Sequence, residues 1–398
     1  MDTIFRNKYE DRILNLLGKG EVIVLTGHRR SGKSYILLNI KQKLSENGNV
    51  IFIDMENPDN AAIKTYIELN DYLKTKINSD KRNYILIDEV QVISEFEKAL
   101  RYYVKQPNVD VVVTGSNAQM LSSEIATVFA GRYLQIHIHS LDYTEFLQFY
   151  NLENSDNNMS LYLKWGGLPF LKNLPLSDDR ERNNYLESIY NTIIVKDIIS
   201  RRQIRNYEQT ENLIRFIADN CGKTFSSLSI ANQLKQNGGK VYANTVDEYL
   251  QLFCNSYIID KVSRYDIKGK RIFEHQEKYY FEDLGIRNFL CADKRFLDIE
   301  KIIENVVYLK LKSLGYNVYI GSLDGKEIDF VAKNGDNIIY VQVTKGIYSE
   351  ETYNREYGNL KQIKDNYPKY VVTLDPYTSL LNPDGIKTIK LIDFLQIL

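Results

Sequence analysis

A segment near the N-terminus has the residue types and spacing that bind a chain of phosphates. It matches GxxxxGK[ST] at every fixed position. In that pattern, glycines let backbone N–H groups converge on phosphate oxygens, the lysine reaches the β and γ phosphates, and the hydroxyl ligates magnesium. The sequence thus predicts Lys33 as a catalytic cation and Ser34 as a metal ligand. The predicted nucleotide-binding residues are Gly27, His28, Arg29, Arg30, Ser31, Gly32, Lys33, Ser34 and Tyr35.

Two consecutive carboxylates, Asp88 and Glu89, follow an apolar run and would complete such a site. The ends of parallel strands meet at one edge of a sheet, where ligands bind. We expect Asp88 to hold magnesium through water and Glu89 to polarise the attacking water. ATP and Mg²⁺ are therefore the expected ligands.

Two more residues are candidates for the same chemistry. At the end of the next apolar run, a polar side chain can sense the γ-phosphate and orient water; Asn117 is the first candidate and Ser116 the second, and the alternative is an ordinary helix N-cap. Arg132 is a candidate for neutralising transition-state charge, and a surface salt bridge is the alternative. The sequence leaves open whether Arg132 would act in its own subunit or on a neighbour.

The elements that must position these residues alternate between strands and helices, which is typical of a parallel sheet covered on both faces. Helical patterns are predicted at 34–43, with Ile36, Leu37, Ile40 and Leu44 on one face, and at 95–104. The fold class is α/β. The predicted strands are Val22–Thr26, Val50–Asp54, Tyr84–Asp88, Asp110–Gly115 and Tyr133–Ile138.

The remaining residues predict three further regions after the nucleotide-binding core at 1–140. A mostly helical stretch at 141–215, interrupted by Gly166-Gly167-Leu168-Pro169, is expected to form a helical lid or subdomain. Residues 216–295 have two short helical patterns followed by strand-like runs, an order that favours a winged helix. Residues 296–398 alternate helix and strand and predict a second α/β domain.

Composition excludes several classes of protein. Hydrophobic residues make up 43% and charged residues 26% of the chain, a balance typical of globular proteins. No apolar run approaches the roughly 20 residues that cross a bilayer, and we see no signal peptide. Three scattered cysteines, Cys221, Cys254 and Cys291, favour reduced thiols and a cytoplasmic location. The net charge of −1 indicates no global attraction to nucleic acid.

The ordered motifs resemble a known family, the AAA-type ATPases of bacteria and archaea that carry a C-terminal restriction-endonuclease-like domain of uncharacterised function. The resemblance spans nearly the whole chain. It implies ATP binding, slow and switch-like hydrolysis, and roles often associated with DNA, mobile elements or defence. The motifs that carry it are Gly27–Ser34, Leu86–Gln91, Thr114–Asn117, Gly131–Tyr133, Gly166–Pro169, Asp283–Asn288, Glu327–Val331, Gln342–Thr344 and Tyr367–Tyr370.

The resemblance also implies a nuclease-like site near the C-terminus. Active members of the restriction-like superfamily have an acid on the first helix, an Asp on one strand and Glu-x-Lys on the next. Here Glu304 and Asp329 occupy the first two places, and Glu327 shares the face of Asp329. Gln342-Val343-Thr344 replaces Glu-x-Lys, so one carboxylate and the lysine are missing. Lys345 is offset by one residue, and Lys326 is the other lysine that could migrate in.

The winged-helix region gives mixed indications for DNA binding. The predicted recognition helix, 244–255, has no Lys or Arg and contains Asp247 and Glu248, so base readout is not expected. The predicted wing holds six basic residues, and it either contacts phosphate non-specifically or only joins the neighbouring domains. The six are Lys261, Arg264, Lys268, Lys270, Arg271 and Lys278.

Three hypotheses for the function follow. The first is an ATP-hydrolysing switch with DNA as a candidate client, which could form homo-oligomers and needs no membrane. The second is an ATP-regulated, Mg²⁺-dependent DNA nuclease that uses Glu304, Glu327, Asp329 and Gln342. The third is a scaffold that binds nucleotide without turnover, and Glu89 speaks against it because pure binding needs no such carboxylate.

Overall fold

The computed structural model describes residues 5–116, 129, 131–194, 198, 207–236, 242–291 and 298–397. The chain forms two compact units. The first unit comprises 1–139 and Asn255–Tyr257, and the second comprises 140–254 and 258–398.

The first unit is built on a five-stranded parallel sheet with the strand order β2-β3-β4-β1-β5. All five predicted strands are confirmed, with ends that shift by at most one residue. Most of their side chains are buried because helices cover both faces. The strands are β1 (Val22–Thr26), β2 (Asn49–Asp54), β3 (Asn83–Asp88), β4 (Val109–Thr114) and β5 (Tyr133–His137).

The helices of this unit are α1 (Asn7–Leu16), α2 (Lys33–Ser45), α3 (Tyr66–Lys76) and α4 (Phe96–Tyr103). The predicted apolar face of α2 is confirmed, since Ile36, Leu37, Ile40 and Leu44 are all buried. Sequence reasoning did not predict α1 or α3. A capping box starts α3, where the Glu68 carboxylate accepts a hydrogen bond from the Thr65 backbone N–H at 2.8 Å.

The N-terminal half of the second unit is mostly helical, as the sequence predicted for 141–215. A Gly-Gly-Leu-Pro break follows α6, where Gly166 has a positive φ of 71°. The last two helices of this half, Ser227–Gln236 and Ala243–Asn255, match the two helical patterns predicted in the 216–295 region. The helices are α5 (Tyr143–Tyr150), α6 (Asp156–Trp165), α7 (Asp179–Thr192), α8 (Tyr207–Asp219), α9 (Ser227–Gln236) and α10 (Ala243–Asn255).

One eight-stranded sheet spans the rest of the second unit, in the order β13-β12-β11-β10-β9-β7-β8-β6. The predicted wing is the antiparallel pair β7 and β8, and β7 also pairs in parallel with β9. The boundary predicted at 295/296 therefore lies inside one sheet. Its strands are β6 (Thr224–Phe225), β7 (Ile259–Asp266), β8 (Arg271–Phe281), β9 (Asn317–Leu323), β10 (Lys326–Asn334), β11 (Asn337–Thr344), β12 (Lys369–Thr373) and β13 (Lys387–Lys390).

Four helices accompany this sheet: α11 (Leu284–Cys291), α12 (Ile299–Ser313), α13 (Glu350–Lys361) and α14 (Leu391–Ile397). The alternation of helix and strand predicted for residues 296–398 is observed. The winged-helix and restriction-endonuclease-like assignments, and the four-part domain division, stay predictions. Among the described helices, none has the length and apolar character needed to cross a bilayer.

Two of the sequence motifs meet in the second unit and have a structural role there. The buried Asp283 carboxylate accepts hydrogen bonds from the backbone N–H of Gly167 at 2.9 Å and of Ile286 at 3.1 Å. The Asn288 amide donates to the Leu163 carbonyl at 2.8 Å. These bonds satisfy backbone groups at the start of α11 and the end of α6, so the motifs fasten helices rather than form a reactive site.

Candidate nucleotide-binding site

The phosphate-binding motif lies between β1 and α2, in the strand-loop-helix context that it requires. Gly27 and Gly32 have positive φ values of 135° and 100°, which favour glycine. A Cβ atom at Gly27 would lie 2.3 Å from the carbonyl oxygen of Ile138, so the first glycine also permits a close backbone approach. The loop residue Arg30 has a left-handed backbone as well, with φ at 65°.

Lys33 stands at the start of α2 and is only 4% exposed. Its ammonium donates to the carbonyl oxygens of Gly27 at 3.0 Å and His28 at 2.9 Å. These bonds hold the cation above the loop whose N–H groups would face phosphate. The helix N-terminus adds a partial positive charge at the same place.

Asp88, at the end of β3, is the buried carboxylate of the site. Its Oδ1 accepts a hydrogen bond from the Thr114 hydroxyl at the end of β4. Burial raises the pKa of Asp88, while hydrogen bonds from Thr114 and Ser34 oppose the rise. The Ser34 hydroxyl is close enough to lower the pKa of Asp88, so the structure brings together the two residues predicted as magnesium ligands. Asp54, which pairs with Asp88 on neighbouring β2, adds a smaller upward contribution to this pKa.

Glu89 follows directly and has a left-handed backbone with φ at 54°, a conformation that costs a non-glycine residue free energy. Its backbone N–H donates to the Thr114 hydroxyl at 2.9 Å, which fixes this conformation. The carboxylate accepts hydrogen bonds from Gln91 and, at 3.2 Å, from the Ser116 hydroxyl. Glu89 is only partly buried, so water can reach it.

Two other predicted residues of the site, Arg132 and Tyr35, are exposed. Asn117 lies outside the described residues. Arg132 is exposed, and its backbone carbonyl pairs with Val22 at 3.1 Å. Tyr35 is 68% exposed and points away from the core of α2.

Sequence reasoning missed two residues that support the site. Thr114 was part of a quoted motif without a role of its own, and its hydroxyl contacts Asp88. Arg6 was overlooked; it is 4% exposed, and its guanidinium donates to the carbonyl oxygens of Ser31 at 2.8 Å and His139 at 2.9 Å. No motif marks Arg6, but the spacing of Tyr9 and Ile13 could have revealed the helix that follows it.

A second carboxylate cluster lies in the second unit, at the positions predicted for a nuclease-like site. Lys278 of β8 forms salt bridges with Glu304 at 3.0 Å and Glu327 at 2.8 Å. Burial and the nearby charge of Glu304 raise the pKa of Asp329, while Lys278 opposes the rise. The structure thus groups three of the predicted acids around a lysine that sequence reasoning assigned only to the basic wing.

The amide at the fourth predicted position, Gln342, takes part in structural hydrogen bonds. Its Oε1 accepts from the Asp329 backbone N–H at 2.6 Å, and its Nε2 donates to Glu356 at 3.0 Å. Lys345 and Lys326, the two lysines considered for this site from the sequence, are both exposed.

Comparison with known proteins identifies the first unit. Residues 19–147 match the family model of an AAA domain (AAA_14). An uncharacterized protein from Haemophilus influenzae is 33% identical over 98% of this chain and 98% of its own length. The Walker-type ATPase PABY2304 of Pyrococcus abyssi has a similar fold, with a TM-score of 0.52, 18% identity and coverage of 73% of this chain and 96% of that one. Residues 19–147 therefore form an AAA domain with a P-loop. The chain belongs to the same family as the Haemophilus protein.

Two further matches carry no assigned function. Residues 157–298 match the model of a domain of unknown function (DUF8612). That match ends at residue 298, after β8 and before β9 in the sequence, although both strands belong to the same eight-stranded sheet. The uncharacterized protein MJ1544 from Methanocaldococcus jannaschii is 28% identical over 81% of this chain and 74% of its own length.

Proposed function

We propose that the chain hydrolyses ATP at the Lys33–Asp88–Glu89 site and works as a nucleotide-driven switch. The observation that carries the proposal is the buried Asp88 at the end of β3, close enough to Ser34 of the phosphate loop for that hydroxyl to lower its pKa, and directly before the partly exposed Glu89. Phosphoryl transfer needs positioning and charge stabilisation more than covalent chemistry, and these residues supply both.

Each residue has a distinct role in this proposal. Lys33 leaves its carbonyl partners to bind the β and γ phosphates, and the loop N–H groups hold the rest of the triphosphate. Glu89 orients the attacking water, while Gln91 and Ser116 keep its carboxylate in place. Arg132, which is exposed, is the candidate for neutralising transition-state charge, in its own subunit or in a homo-oligomer.

Ser34 and Asp88 fit magnesium, because a hydroxyl and a carboxylate are the oxygen ligands that this ion prefers. The raised pKa of Asp88 reflects a buried acid whose charge a divalent cation would compensate. When bound, magnesium would neutralise charge on the phosphate oxygens. Thr114 holds the Asp88 carboxylate in position for this role.

Substitution of Lys33 by alanine tests the proposal. We expect Lys33→Ala to lower steady-state phosphate release by at least about 100-fold, the usual cost of losing one preorganised charge contact. Lys74→Ala is the matched control, because Lys74 forms a surface salt bridge with Asp71 in which both side chains are more than half exposed. Turnover that is equal in the two variants would overturn the proposed function.

DNA is the client to test first, although the electrostatic support for it is limited. Five of the six basic residues of the predicted wing form salt bridges with acids inside the chain, so the hairpin presents little free positive charge. ATP turnover measured with and without duplex DNA decides the point. Stimulation that falls steeply with salt would identify DNA as the client, and equal rates would exclude it.

The nuclease alternative would need a divalent metal at Glu304, Glu327 and Asp329. The salt bridges of Lys278 oppose metal binding there. The scaffold alternative differs from the switch because it needs no water-activating carboxylate at Glu89.

A further inference from the structure

The carboxylate cluster of the second unit has a cation of its own. Lys278 is 5% exposed at its side chain, and its ammonium lies 3.0 Å from Glu304 Oε1 and 2.8 Å from Glu327 Oε1. A magnesium ion would have to lie about 2.1 Å from such oxygens. An ammonium that contacts both carboxylates leaves no room for a metal between them.

Each of the two glutamates also contacts a second donor. Glu304 Oε1 accepts a second hydrogen bond from the Tyr280 hydroxyl at 2.5 Å. Lys278 and Tyr280 are two residues apart on β8, so their side chains share one face of the strand and reach the same oxygen. Glu327 Oε2 faces Arg264 at 3.3 Å. Both glutamates thus have donors from the β7–β8 pair.

The charges in the cluster support a protonated lysine. The carboxylates of Glu304 and Glu327 contact the Lys278 ammonium, and their negative charge favours its protonated form. A lysine that keeps its proton is a permanent cation and a poor base for activating water. This separates Lys278 from the catalytic lysine of an active nuclease.

We propose that the Lys278 ammonium is the built-in cation of the Glu304–Glu327 pair and keeps divalent metal out of it. The cluster is then a latent metal site, closed by one side chain from β8. The requirement of this chain for a divalent cation is confined to the nucleotide site, and the second unit does not cut nucleic acid while Lys278 stays in place.

Binding of Mn²⁺ to the full-length chain without nucleotide tests the proposal. Paramagnetic titration counts the ions bound per chain, and comparison with Glu304→Gln isolates binding at the cluster. We expect wild type and Glu304→Gln to bind the same number of ions. Lys278→Met should gain one ion, and the double variant Lys278→Met/Glu304→Gln should lose it again.

Two further measurements keep the result interpretable. ATP turnover and circular dichroism show whether Lys278→Met is folded, since Lys278 is no part of the nucleotide site. Lys278→Arg retains a cation and should bind no extra ion. A Glu304-dependent Mn²⁺ site in wild type would overturn the proposal. A folded Lys278→Met variant that gains no ion would overturn it too. If Lys278→Met does not fold, the wild type against Glu304→Gln and the arginine variant decide alone.

Discussion

The carboxylates of the two sites in this chain have different partners. In the first unit, the carboxylates of Asp88 and Glu89 accept hydrogen bonds from hydroxyl and amide groups, and the nearby lysine donates to carbonyl oxygens of its own loop. In the second unit, Glu304 and Glu327 share the ammonium of Lys278. Each site has an acid on a strand, Asp88 on β3 and Glu327 on β10, so the acids alone do not distinguish them.

The difference shows that the group nearest to a carboxylate decides what the carboxylate can do. A neutral donor orients an acid without supplying charge, so a cation from solution can still bind. A buried ammonium supplies the charge itself, and replacing it with a metal means breaking salt bridges that are costly to disrupt. Three predictions test this contrast, beginning with the largest effect.

Removal of the charge at Glu89 is expected to have the largest effect. Glu89→Gln should lower the turnover number for ATP by about 100- to 1,000-fold with little change in nucleotide affinity, because the amide cannot polarise water as a carboxylate does. Phosphate release and nucleotide titration measure the two quantities. Glu327→Gln is the matched control in the second unit and should turn over ATP at the wild-type rate. Unchanged release by Glu89→Gln would favour the scaffold hypothesis instead.

Loss of the buried ammonium should mainly affect stability. Lys278→Ala leaves two carboxylates facing each other and should lower the free energy of unfolding by about 3 kcal/mol, the low end of the range for a broken buried pair. Glu327 is 35% exposed, which places the effect at that end. Lys261→Ala removes a half-exposed partner of Glu277 and should cost less than about 1 kcal/mol. Equal denaturation midpoints for the two variants would contradict the contrast.

Asp88→Asn should have the smallest of the three effects, and it should raise the free energy of unfolding rather than lower it. Because the folded state raises the pKa of Asp88, it retains a proton that the unfolded chain releases above a pH of about 4. Wild-type stability therefore falls as the pH rises from there through the folded-state pKa. The asparagine variant lacks this loss and should be about 0.5–2 kcal/mol more stable at neutral pH without nucleotide. Thermal unfolding at acidic and neutral pH measures the difference, and a variant that is less stable at neutral pH would refute it.

Much of the first unit could be predicted from the sequence because its signals are local. Buried parallel strands are short apolar runs, and the phosphate loop is fixed by glycines and by Lys33 within eight residues. The helices α1 and α3 were missed because their polar faces obscure the apolar spacing. The role of Thr114 was missed, since the register between β3 and β4 brings its hydroxyl to Asp88.

The carboxylate cluster could be predicted only in part, for a reason of topology. Glu304, Glu327 and Asp329 were expected together because a resemblance placed them. Lys278 was not, because β7, between β9 and β8 in the sheet, is what brings it there. Local periodicity does not predict the order of strands in a sheet. The sequence therefore assigned Lys278 only to the basic residues of the wing.

The pairing of β7 with β9 limits how the chain can be divided. A fragment that starts at residue 296 would lose Lys278 and would expose one edge of β9 to solvent. Open strand edges pair with other chains, so such a fragment would tend to aggregate. A fragment that ends at residue 298 would leave β7 with the same open edge. Studies of the second unit by itself should therefore keep residues 140–398 together. A chimera that takes one half of this unit from a relative should take the paired strands β7 and β9 from the same protein.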